Sequence, residues 1–163
     1  MVDIPDLART EVAIVAQTNA FRREERLAPV VRNAALDQAA RLFAAYLAKT
    51  GRFAHEADGR QPADRVKASG YQYCTVAENL ALNLDSRGFT AEKLSGEAIE
   101  GWKNSPGHRK NILLPDVTEI GVGVARAPDA DPKFLSVQLF GRPSSLTFEF
   151  RVANRSGSAI TYT

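Results

Sequence analysis

One predicted helix ends and another begins within WKNSPGHRKNIL, residues 102–113. Ser105 followed by Pro106 is typical of a helix N-cap and a first helical position. His108 is then the third residue of a short helix that runs to about Leu113. Because the helix macrodipole disfavours a positive charge there, we expect a neutral His108, able to accept a hydrogen bond or bind a metal ion. Alternatively, Ser105 is only a cap and His108 an ordinary surface histidine.

Helical spacing of apolar residues predicts further helices before this stretch. Their signals are an apolar face from Leu7 to Phe21, a helix from Asn33 to Gly51, a short helix from Pro62 to Gly70, and a helix over about 91–103 capped by Thr90. The second of these is apolar on more than one side, so we predict that it packs in the core.

After Pro115 the period of the apolar residues changes to two, which is typical of strands. Two alternating runs, 120–124 and 135–139, flank a turn rich in Pro and Asp and predict a hairpin. Residues 71–83 have a mixed pattern that could hold a short strand. Helices followed by antiparallel strands indicate an α+β layered domain. A last alternation lies within 143–163, which we predict to be a C-terminal β-hairpin-like extension of a domain spanning 1–142.

The composition is that of a globular domain with one core. Its 163 residues are 44% hydrophobic and 25% charged, with a formal net charge of +2. The charges are mixed along the chain, so no basic face for nucleic acid is predicted. No apolar run is long enough for a transmembrane segment. The single cysteine, Cys74, excludes an internal disulfide and a multi-cysteine zinc site.

Three residues have local surroundings that allow two interpretations each. His55 lies in a polar loop beside acidic residues, where a histidine is usually solvated. Glu78 interrupts an apolar run, so it is either a structural carboxylate bonded to backbone amides or part of a cleft. No pattern around Cys74 marks an activated thiolate, and we expect a buried, unreactive side chain.

Taken together, these segments resemble the CAP superfamily (cysteine-rich secretory proteins, antigen 5 and pathogenesis-related proteins), in its bacterial SCP-like form. The resemblance covers about residues 8–142 and depends on the order and spacing of several motifs. They are Asn19-Ala20-Phe21-Arg22, Phe53-Ala54-His55, Ala77-Glu78-Asn79-Leu80, the stretch 102–113 with Trp102 and Asn111, and Gly121-Val122-Gly123.

The resemblance implies an α-β-α sandwich, with a small antiparallel sheet between helical layers and a groove open to solvent. In many members two histidines and two glutamates meet there and can bind a divalent metal, often zinc. By position, the histidines are His55 and His108 and the first glutamate is Glu78. The family's second glutamate corresponds here to Ser105. The remaining motif residues, implied to be structural, are Asn19, Arg22, Asn79, Trp102 and Asn111.

Ser105 in place of a carboxylate removes one negative charge from the implied metal site. Zinc would then have His55, Glu78 and His108 as ligands, and we expect weaker affinity than with the full set. Alternatively, Ser105, His108 and Glu78 form a hydrogen-bonded trio like a nucleophile, base and acid. A capping Ser105, however, would already be bonded to the backbone, and the sequence shows no oxyanion donors.

These expectations lead to three functional hypotheses. The first is an extracytoplasmic binding module, rather than an enzyme, whose groove takes a metal ion, a lipid or a small component of the cell envelope. The second is a metal- or serine-dependent hydrolase using the same groove. The third is a structural or interaction domain in which the motif residues form a buried polar network. The resemblance implies secretion or a periplasmic location, although residues 1–5 do not begin a signal peptide.

Overall fold

A computed structural model describes residues 2–144, 150–153 and 159–162, the last two segments by their backbone alone. The elements follow one another as α1 (Leu7–Glu24), β1 (Val31–Arg32), α2 (Ala34–Thr50), α3 (Pro62–Ala68), β2 (Tyr73–Leu84), α4 (Ala91–Lys103), α5 (Pro106–Ile112), β3 (Glu119–Arg126), β4 (Lys133–Pro143), β5 (Phe150–Ala153) and β6 (Ala159–Tyr162).

Four strands form the central sheet, in the order β1-β3-β4-β2. The three long strands are antiparallel, with β4 between β2 and β3. Helices α1, α4 and α5 cover one face around a core that includes Trp102 and Phe140, and α2 and α3 cover the other around Phe43 and Leu139. The fold is therefore the predicted α-β-α sandwich.

Two glycines of β3 allow α2 to lie close against the sheet. A Cβ atom at Gly121 would come within 2.1 Å of the backbone carbon of Leu36, and one at Gly123 within 2.3 Å of that of Ala40. Only glycine leaves room for such backbone contact. The GVG segment of the family motif thus sets the distance between two layers.

The predicted helix boundaries agree with the structure. Asn33 accepts hydrogen bonds from the first turn of α2, and Gly51 ends that helix in the left-handed conformation, with φ 69°. Thr90 caps α4 by accepting from Lys93 N, and Pro62 begins α3. These signals are local, which is why the sequence alone identifies them.

Two strands differ from the prediction. The segment expected to hold a short strand is β2, a strand of 12 residues. Its two buried polar residues, Glu78 and Asn79, interrupt the alternation and conceal its length. The strand β1 was not predicted; it pairs with β3 in parallel over two residues, so the sheet is not wholly antiparallel.

In the predicted extension, β5 and β6 pair with each other as a separate two-stranded antiparallel sheet. The predicted alternation at Leu146 and Phe148 lies outside the described residues. Among the described parts of the chain, none of the helices combines the length and the apolar character that a membrane crossing requires.

Candidate groove site

Two successive residues of β2 begin the site, because a strand directs neighbouring side chains to opposite faces. Glu78 lies on the face covered by α2 and α3, and Asn79 on the face covered by α1, α4 and α5. Both residues are buried. Each is the centre of its own polar network, and each network reaches one of the two histidines.

The Glu78 network is charged. Arg65 Nη2 donates to both carboxylate oxygens of Glu78, at 2.9 and 2.8 Å. His55 Nδ1 lies 2.8 Å from Oε1 of the same carboxylate. Because an ionised carboxylate only accepts, Nδ1 carries the proton, and Nε2 of a neutral His55 is the acceptor. The structure thus fixes the tautomer of a half-exposed histidine through a buried acid.

Arg65 is the residue that sequence reasoning missed. It also donates to Asp58 Oδ1 at 2.8 Å and to the backbone oxygens of Arg60 and His55 at 3.0 and 2.9 Å. Its guanidinium carbon lies 3.5 Å from the centre of the Phe43 ring. The sequence indicates this residue only indirectly, because a buried carboxylate such as that of Glu78 requires a partner. Nothing in the sequence of α3 identifies which cation that is.

The Asn79 network is neutral. Asn79 Nδ2 donates to the backbone oxygen of His108 at 3.1 Å and to Gln138 Oε1 at 3.0 Å. Asn111 Nδ2 donates to Asn79 Oδ1 at 2.9 Å. Gln138 in turn donates to Thr18 of α1 at 2.7 Å. The network therefore joins α5, β2, β4 and α1, and it holds the backbone of His108.

The other motif residues also bind backbone groups. Trp102 Nε1 donates to Leu80 O at 2.9 Å, and Asn111 Nδ2 to Glu78 O at 3.1 Å, which fastens α4 and α5 to the outer edge of β2. Asn19 bonds both the N–H and the carbonyl of Val30. Arg22 donates to the carbonyls of Ala28, Ile112 and Leu114, and burial lowers the pKa of its guanidinium.

Ser105 and His108 have the helical positions that the sequence predicts, with Ser105 at the N-cap and His108 third in α5. The Ser105 side chain makes no capping hydrogen bond, so the expectation of a bonded cap is wrong. The pKa of His108 is lowered, first by burial and then by the repulsion that a protonated His55 would exert on a protonated His108. The predicted direction is confirmed, although its causes differ from the macrodipole.

Both residues line a groove of about 280 Å³ beside β2. Its apolar side includes Phe53, Leu80 and Leu82, and Phe53 is 47% exposed. Its polar groups include Asn83 and Glu97 besides Ser105 and His108. The Asn83 Oδ1 atom is buried and has no hydrogen-bond partner among the described residues. The wall of the groove therefore contains an unsatisfied acceptor, which is covered from solvent in this conformation.

The contacts of Glu78 do not suit the implied metal set of His55, Glu78 and His108. Both carboxylate oxygens are bonded to a guanidinium, and His55 turns Nδ1, not a free electron pair, toward the acid. Among the residues described, no group of three His, Cys, Asp or Glu could hold a metal ion. Two unit charges 4 Å apart interact by about 4 kcal/mol near a protein surface, so Arg65 would repel a cation bound to Glu78.

Two further expectations need correction. The carboxylate of the predicted Ser105–His108–Glu78 trio bonds His55 and Arg65 instead, because Glu78 and the α5 backbone lie on opposite faces of β2. Cys74 is exposed and not buried, since it lies at the start of an edge strand.

The fold, with His55 and His108 held from opposite faces of β2, defines an SCP-type domain. The chain belongs to the Cysteine-rich secretory protein family (CAP), whose profile matches residues 15–140. It is 35% identical over 114 residues to the uncharacterized protein YkwD of Bacillus subtilis, a match that covers 69% of this chain and 41% of that protein. The chain thus spans less than half of this curated relative.

Solved structures agree with this assignment. An outer surface protein from Borrelia burgdorferi superposes with a TM-score of 0.70 at 20% identity, covering 83% of this chain and 93% of that one. An extracellular protein containing a SCP domain, from Bacillus anthracis, has a TM-score of 0.69 at 25% identity, covering 83% of this chain and 41% of that chain. Relatives of this fold therefore include extracellular and surface proteins.

Proposed function

We propose that the chain is an extracytoplasmic binding module whose groove takes a small, uncharged, hydroxyl-rich component of the cell envelope, such as a glycan segment. The observation that carries this is the meeting of His108, Ser105 and Asn83 in one groove beside the exposed ring of Phe53. His55, held by Glu78, adds a second imidazole close enough for its protonated form to affect the pKa of His108. Pockets with an apolar lining and a few unsatisfied polar groups are typical binding sites.

The charges favour a neutral ligand over an anion, because Glu97 lines the groove. Glu78 is bonded to Arg65, and the lowered pKa of His108 keeps that imidazole uncharged at neutral pH. Sugars have apolar ring faces, which suit the exposed ring of Phe53, and hydroxyl donors, which suit Asn83 Oδ1 and a neutral imidazole. A lipid would use the apolar side of the groove and leave these polar groups unpaired.

A titration followed by amide chemical shifts tests this proposal. A soluble N-acetylated tetrasaccharide should shift the signals of residues around the groove, and Phe53→Ala and His108→Ala should each weaken binding about tenfold, equivalent to about 1.4 kcal/mol. Leu42→Ala, an exposed leucine on α2 outside the groove, is the matched control. Shifts caused by phosphatidylglycerol vesicles and not by the sugar would support a lipid ligand and contradict the proposal.

A hydrolase is the second candidate, and one observation favours it. The bond of 2.8 Å between Glu78 and His55 orients an imidazole as a buried acid does in general-base catalysis. Water activated by His55 would then be the nucleophile, and Glu78 would only orient the base. This hypothesis predicts turnover of peptide, ester or glycan substrates that His55→Ala abolishes; no turnover across all three panels would exclude it.

Secretion and the division at residue 142 are also proposals. The extracellular and surface relatives support secretion, and fractionation of cells that express the full-length protein tests it. For the division, a chain ending at 142 should keep the thermal unfolding of the full chain. A large loss of stability would show that residues 143–163 belong to the same folding unit.

A further inference from the structure

We infer that Arg65 replaces a divalent cation as the counter-charge of Glu78, and that it thereby positions His55 and keeps the groove independent of metal. The inference rests on the contacts of Arg65 and holds whichever ligand the groove takes. It makes Arg65 a positioning residue that acts on His55 through Glu78.

The guanidinium is built into the fold as a fixed charge. The side chains of Arg65 and Glu78 are 5% and 1% exposed, so the pair is shielded from water. Asp58 and two backbone carbonyls accept further hydrogen bonds from Nη1 and Nη2, and the Phe43 ring supports the face of the guanidinium. Its Nε atom is buried without a hydrogen-bond partner among the described residues. A buried charge with this many partners does not leave its position when a metal ion arrives.

The hydrogen bonds of Glu78 also leave little room for a metal. An ionised carboxylate has about four acceptor positions, and here Arg65 and His55 occupy three of them. The orientation of the ring is a second obstacle to a metal ion shared by His55 and Glu78, because the ring nitrogen that faces Glu78 is the protonated Nδ1. An ion could bind only Nε2, and Glu78 would then orient the ring from the other side without being a ligand itself.

The position of Ser105 completes this interpretation. A serine hydroxyl supplies no negative charge, and Glu97, the carboxylate that lines the groove, forms no group of three metal ligands with the histidines among the described residues. Structural zinc sites use four protein ligands and catalytic sites three. Arg65 thus balances the negative charge of Glu78 in a chain that has Ser105 at the position of the second carboxylate of the implied metal set.

Calorimetric titration with zinc chloride tests the inference. Wild type and Arg65→Lys, which keeps the positive charge, should show no saturable binding tighter than about 100 μM. Arg65→Met releases Glu78 and should raise zinc affinity at least tenfold, and adding Glu78→Gln to that variant should remove the gain. A role of Arg65 in stability alone would lower the melting temperature and create no zinc site.

Two results would overturn the inference. One is a folded Arg65→Met variant, with a native circular dichroism spectrum, that gains no zinc affinity. The other is a wild-type protein that binds one zinc ion at micromolar concentration and loses it in Glu78→Gln. If Arg65→Met does not fold, the wild-type titration decides alone: no saturable zinc binding tighter than about 100 μM supports the inference, and tighter binding overturns it.

Discussion

The two faces of β2 hold their histidines by different physical means. On one face, Glu78 and Arg65 form a charged pair that reaches the side chain of His55. On the other, Asn79, Asn111 and Gln138 form a chain of neutral amides that reaches the backbone of His108. The charged network therefore orients the His55 ring, while the neutral network fixes α5, from which the His108 ring projects. Each network can be removed separately.

Removing the cation of the charged face should have the largest effect. Arg65→Ala leaves Glu78 buried without its counter-charge, and breaking such a pair costs about 3–5 kcal/mol of unfolding free energy. Urea denaturation measures it. The double variant Arg65→Ala/Glu78→Leu should recover part of the loss, because both charges are gone. A loss below about 1 kcal/mol for Arg65→Ala would mean that Glu78 does not depend on Arg65.

The neutral face should respond less. Asn79→Leu keeps the size of the side chain but leaves amide groups of Gln138 and Asn111 without their partner, at about 1–3 kcal/mol. Asn83→Leu is the control on the same face of β2, since Asn83 Oδ1 has no partner within the described residues. Equal losses of stability in urea for Asn79→Leu and Asn83→Leu would contradict a stabilising role of the Asn79 network.

Acidification should act through the His108 end of the groove. Because the folded-state pKa of His108 lies below its ordinary value of 6.5, the unfolded chain binds the proton more readily. The contribution of His108 to stability is thus complete above about pH 6.5 and is lost as the pH falls through the lowered pKa. His108→Gln should flatten this part of the pH–stability curve, measured by urea denaturation at several pH values. A pH–stability curve that is the same for His108→Gln and wild type would contradict the lowered pKa of His108.

Ser105→Ala should have the smallest effect, within about 0.5 kcal/mol, because the hydroxyl does not cap α5. Thr90→Ala is the matched control, since Thr90 Oγ1 does accept Lys93 N and its loss should cost about 1 kcal/mol. Thermal unfolding of the two variants distinguishes them. Equal losses would show that Ser105 caps its helix after all.

The sequence was most informative where structure depends on neighbouring residues. Asn33, Gly51, Pro62 and Thr90 mark helix ends through local hydrogen bonds and backbone conformation, and all four are confirmed. The family motifs in turn predicted the layered fold. These signals lie within one turn of the residues they affect.

What the sequence could not supply depends on distant contacts. In the sequence, Arg65 resembles an ordinary basic residue on a helix surface. Only the fold brings it to Glu78, 13 positions away. The length of β2 was hidden because its polar residues are buried by partners on other elements. The missing cap bond of Ser105 likewise depends on the side-chain geometry at the groove. Each of these is a tertiary effect.

The long-range ¹H–¹⁵N spectrum of the two histidine rings tests the central claim most directly, since His55 and His108 are the only histidines of the chain. At neutral pH the account predicts a proton on His55 Nδ1, a bare Nε2 on the same ring and an uncharged His108. One equivalent of zinc chloride should change neither ring. A proton on His55 Nε2, or a joint shift of both rings with zinc, would contradict a groove organised by Arg65.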